Sequence, residues 1–104
     1  MISIVLFRTD GDITKVRAMG HSGSAARGSD IICAATSAIV QTAYLALKDI
    51  GAKTEYVRDA KSGLFEFTIG DENRRDCNII LRAMTVGLQD LAEGYPQNIK
   101  LEEQ

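Results

Sequence analysis

The sequence predicts a single α+β domain, in the order ββαββα, with a mainly antiparallel sheet and two long helices packed on it. Three observations lead there. Two pairs of short β-rich runs are each split by a turn signal, a long small-and-apolar segment follows the first pair, and an amphipathic segment follows the second. Tight hairpins join antiparallel neighbours, so one sheet with helices on a face is the economical packing. The 104 residues suit one domain of about 100–200 residues, and 1–104 are read as one unit.

Ile2 to Arg8 is rich in β-branched residues, Asp10-Gly11 is a hairpin-turn signal, and Ile13 to Met19 alternates Ile13, Lys15 and Arg17 against Thr14, Val16 and Ala18. Gly20 to Ser29 holds three of the nine glycines and three serines, with no large apolar side chain, and reads as a flexible loop. Asp30 to Ile50 is the first helix, with Ser29 or Asp30 as N-cap and Gly51 as its stop. Only Thr36, Ser37, Gln41, Thr42, Lys48 and Asp49 interrupt its apolar surface, so burial on more than one side is expected, a dimer interface included. Lys53 to Arg58 and Leu64 to Ile69 form the second hairpin around 59–63, with Phe65, Phe67 and Ile69 on one face. From about Glu72 to Glu93, Cys77, Ile80, Leu81, Met84, Leu88 and Leu91 fall at helical spacing, until Gly94 and Pro96 stop the run.

Composition narrows the function classes. Hydrophobic residues at 45% and charged residues at 25% argue against disorder and against a disulfide-dense scaffold. Twelve basic against fourteen acidic side chains, a net charge of −2, give no electrostatic footprint for nucleic acid or an anionic membrane. The uninterrupted apolar runs fall short of the ~20 residues that span a bilayer, and a cytoplasmic protein is expected. Cys33 and Cys77, 44 residues apart, lack redox-motif spacing and are expected to be reduced. A zinc site would have to gather Cys33, Cys77, the single histidine His21 and a carboxylate without the usual paired spacings, so no metal or cofactor is expected.

The chemistry has one natural focus. Cys33 is placed in the first turn of its helix, where unpaired N–H groups and the helix dipole favour a thiolate. His21 precedes it by twelve residues, within reach of the helix start, and a Cys–His pair is the minimum nucleophile and base for acyl transfer. Asp30 would fix the turn as N-cap, its charge partly opposing thiolate formation. Ser37 and Gln41, at i+4 and i+8 from Cys33, share its helix face and can orient the thiol, the histidine or a substrate backbone. The residues alone also allow a buried core cysteine with a surface histidine, or a redox-sensing Cys33 resolved by Cys77; Cys77 itself fits the apolar stripe of the second helix and reads as core. A phosphate cradle fits poorly, because the loop has no Gly-Lys-Ser/Thr pattern and Asp30 would face the anion.

Gly20-His21-Ser22-Gly23, followed by Gly28-Ser29-Asp30-Ile31-Ile32-Cys33-Ala34-Ala35-Thr36-Ser37, resembles the ribosomal-processing cysteine protease family, Prp. The likeness rests on the Gly-His-small-Gly element, the histidine-to-cysteine interval and the helix start that carries the cysteine. Two residues depart from the pattern, Ser22 where alanine is commoner and Ile32 where valine is commoner, and neither removes chemistry. The resemblance implies a small cytoplasmic homodimeric peptidase. Its substrate would be the N-terminal extension of the bacterial large-subunit ribosomal protein numbered twenty-seven in the L series. It further implies Cys33 as nucleophile, His21 as base, Asp30 and Ser37 in support, and Gly20, Gly23 and Gly28 in a flap over the substrate. The competing class is a non-catalytic module that binds a ribosomal protein or an assembly intermediate through the same groove.

Overall fold

The computed structural model describes residues 1–20 and 31–104 in full and residues 27–30 as backbone. Strands β1 (Ile2–Thr9) and β2 (Asp12–Met19) form an antiparallel hairpin. Asp10 and Gly11 between them have φ of 54° and 87°. Positive φ at both central residues is what a two-residue type I′ turn requires, and Asp-Gly adopts it with little strain. β1 buries Ile2, Ile4 and Leu6 on one face. On β2 the expected alternation breaks, because Phe7 pairs with Lys15 while Arg8 pairs with Ile13. The extra residue, Thr14, is a bulge that lets Ile13 and Val16, three apart, both reach the core.

The second hairpin, β3 (Thr54–Asp59) with β4 (Leu64–Ile69), joins the first through β4 and β2. A fifth strand that the sequence reading did not include, β5 (Ile99–Glu103), lies parallel to β1, with Ile2 opposite Ile99 and Leu6 opposite Glu103. The order is therefore ββαββα plus a final strand, and the sheet runs β3-β4-β2-β1-β5. Among the described residues only the β1–β5 pairing is parallel, so the sheet is mainly antiparallel.

Helices α1 (Arg27–Asp49) and α2 (Arg74–Gly94) supply the other half of the core. Val40, Tyr44 and Leu47 of α1, with Cys77, Leu81 and Leu88 of α2, pack in one cluster with Ile4, Leu6, Val16 and Phe67 of the sheet. Among the described residues, the buried threonines are satisfied locally, Thr36 donating to the Ile32 carbonyl and Thr85 to the Leu81 carbonyl, each at 2.8 Å. α1 begins three residues before the expected start at Asp30. Gly28 and Ser29, expected in the loop over 20–29, are therefore helical, and Asp30 lies inside the helix rather than capping it. Length and composition alone would let Ile31–Asp49 cross a membrane; here its inner face is core.

The exposed side of the helix layer carries large apolar residues among its charged ones. Ile31 and Leu45 of α1 and Ile79 and Val86 of α2 are exposed, and the groove between the helices is floored by small side chains such as Ala38, Ala46 and Ala83. A helix facing water is ordinarily polar on that side. The second buried side expected of α1 is thus uncovered in a single chain.

Candidate active site

Cys33 is the seventh residue of α1, in its second turn. This corrects the first-turn placement: its N–H falls within the helical ladder, and the dipole acts mainly in the first turn. Its side chain is half-buried against the core and opens into a cavity of about 140 Å³. The cavity lies between α1 and the sheet, at the end of the hairpin opposite its turn. Cys33, Ser37 and Gln41 line it from α1, Met19 and Gly20 from the end of β2, Ile2 from β1, and Gly63 and Phe65 from the second hairpin.

The one-face spacing of Cys33, Ser37 and Gln41 is thus realised, with Ser37 exposed and its neighbour Thr36 occupied by its own helix carbonyl. Gly20 joins them for a backbone reason. Its φ is 94°, and a Cβ there would stand 2.6 Å from the Met1 carbonyl oxygen, so no larger residue fits without movement. Ile2, Val40 and Phe65 make the walls apolar, and no charged residue is among the described lining. The sequence does not single out the wall residues Ile2, Met19 and Phe65; its periodicity places Phe65 only on one face of its strand.

His21 and Gly23 lie outside the described residues, as does the side chain of Asp30. Gly28 lies in α1. Cys77 is fully buried in α2, and burial, followed by the charge of Asp76, pushes its thiol pKa up. It is a core thiol, and no disulfide joins it to Cys33. Among the described residues no three metal-ligating side chains come together.

A half-buried thiol opening into a small apolar cleft, with hydroxyl and amide groups on the same helix face, fits the class of cysteine peptidases. The sequence model of the family described as cysteine protease Prp matches residues 1–100. The chain belongs to that family and is a cysteine protease. The ribosomal processing cysteine protease Prp of Staphylococcus aureus is 30% identical over 103 residues, covering 97% of each chain. Two crystal structures of the S. aureus protein, one with a covalently linked product peptide and one with a substrate peptide, superpose with a TM-score of 0.90 at 30% and 29% identity, each covering all of both chains.

Proposed function

We propose that this chain is a ribosomal-processing endopeptidase in which Cys33 is the nucleophile and His21 its base. The observation that carries the reading is that Gly20, the residue bonded to His21, lines the same cavity as Cys33. The S. aureus relative, named for ribosomal processing and solved with a covalently linked product peptide, supports the same chemistry. Cys33 Sγ attacks the scissile carbonyl carbon as His21 takes the thiol proton. Collapse of the tetrahedral intermediate breaks the C–N bond, and His21 returns the proton to the leaving amine. Water, deprotonated by His21, then hydrolyses the thioester and restores the thiol. Ser37 and Asp30 support the site.

The substrate in this reading is the N-terminal extension of the large-subunit ribosomal protein numbered twenty-seven, met in the cytoplasm without a metal or cofactor. The enzyme works as a homodimer in this reading, which the exposed apolar residues Ile31, Leu45, Ile79 and Val86 of the two helices support. Incubating a peptide that spans the extended N-terminus with wild type, Cys33→Ala and His21→Ala, and reading the products by mass spectrometry, tests the roles. One cut by wild type and none by either variant is expected. Cleavage by Cys33→Ala would overturn the assignment.

A further inference from the structure

The cleft does not end at Cys33. Gln41 and Phe65 line the Cys33 cavity and also a second one of about 250 Å³, which adds Tyr44, Lys48, Tyr56 and Arg58. Tyr44, Lys48 and Tyr56 in turn border a third, more open space of about 830 Å³ near the end of α1. Through these shared walls the three spaces adjoin one another in a row, the trough, between α1 and the second hairpin. From Cys33 to Lys48 the helix rises about 22 Å, room for about six or seven extended residues.

The trough has a distinct chemistry. Its floor is aromatic: Tyr44 meets Tyr56 edge-on at 5.5 Å between ring centroids and Phe65 at 5.6 Å. Tyr56 closes this cluster yet is 58% exposed, a large aromatic surface left to solvent beside a groove. Two cations stand over the rings, Lys48 at 5.8 Å from the Tyr44 centroid and Arg58 at 5.4 Å from that of Phe65. Among the described residues neither meets a carboxylate. No charged residue is among the described lining of the Cys33 cavity, whereas Lys48 and Arg58 line the second space and Lys48, Lys53 and Glu55 the third.

We propose that this trough is an extended substrate track, in which the polypeptide several residues from the scissile bond stacks an apolar or aromatic side chain on Tyr56 and gives a carboxylate side chain to Arg58 and Lys48. The inference rests on Cys33 marking the point of cleavage. Stacking on a preformed aromatic platform needs little reordering of the protein. A carboxylate can take a forked pair of hydrogen bonds from Arg58, which meets no acidic partner among the described residues. Track binding acts on the ground state and the transition state alike, so it appears in KM and leaves kcat unchanged.

The test uses internally quenched peptide libraries of four and ten residues, with Glu, Gln or Lys at each position, cut by wild type, Tyr56→Ala, Tyr56→Phe and Arg58→Glu. Binding of the same peptides to Cys33→Ala, alone and combined with each trough substitution, is read by fluorescence anisotropy. For wild type we expect about tenfold higher kcat/KM with Glu than with Lys at one position four to seven residues from the cut. Arg58→Glu reverses that preference. Tyr56→Ala raises KM about tenfold on long peptides only, and Tyr56→Phe restores it. Equal cleavage of all peptides by wild type and the trough variants would overturn the track and leave the protease reading intact. Peptides that bind Cys33→Ala through Tyr56 and Arg58, but that wild type does not cut, would sink the role of Cys33 and keep the track. Peptides neither bound nor cut would sink both.

Discussion

The two ends of the β1–β2 hairpin are built on opposite plans. At the turn end polar groups do the holding: the Asn78 carboxamide on α2 accepts from the Ile13 N–H at 2.7 Å and donates to the carbonyls of Ile13 at 3.2 Å and Arg74 at 2.9 Å. It satisfies the backbone that the Thr14 bulge withdraws from the ladder. Arg8 adds a fork onto Glu103 of β5, at 2.7 and 3.2 Å. At the other end Gly20 passes beneath the Met1 carbonyl, and the space beside it is apolar and hollow around Cys33. Stability is concentrated at one end and an unfilled cleft is left at the other, the usual division between an anchored scaffold and a binding site.

Substitutions at each end test that division. The largest loss of stability is expected from Asn78→Ala, which strands the N–H and carbonyl of Ile13; urea unfolding should show a loss of about 3 kcal/mol. Peptide cleavage per folded molecule should stay near wild type, and a collapse of kcat in the folded variant would break the comparison. Gly20→Ala comes next, at about 2 kcal/mol from backbone strain. Its damage falls on the cleft, so cleavage should drop more than the unfolded fraction explains. The smallest effect belongs between the ends, on the sheet face away from the helices. There Arg17 donates to Glu66 at 2.8 Å, and that hydrogen bond, outweighing partial burial, lowers the Glu66 pKa below its ordinary 4.5. A lowered folded pKa gives stability that is present above the ordinary value and lost as pH falls from there through the folded one. Glu66→Gln should cost about 0.5 kcal/mol at neutral pH and flatten the acid limb of a thermal-melt series.

Much of this was readable from local signals. Asp10-Gly11 announced its turn, the second helix its period and stops, and the Cys33–Ser37–Gln41 spacing one face of a helix. What escaped the sequence depends on distant partners. The Thr14 bulge is defined by pairing with β1 and by Asn78, 65 residues from Ile13. β5 carries a two-residue alternation too brief to stand out, and only β1 gives it a place. A carboxylate before an apolar run is a strong N-cap signal and points to Asp30 as the start of α1; the helix extends past it to Arg27. Ile2 sits in a β-rich run and Phe65 on one face of its strand, and neither signal shows that packing of distant elements also makes them cleft walls.

The parallel strand carries a consequence for the order in which the molecule comes together. Ile2 is held by β5, its N–H donating to the Asn98 carbonyl at 2.9 Å and its partner being Ile99. Ile2 is also a wall of the Cys33 cavity. Contacts of such long sequence separation form late, since a long loop must close before they repay its entropy. A chain emerging from the ribosome therefore carries its thiol well before it carries a finished cleft, and proteolytic competence waits on the last strand.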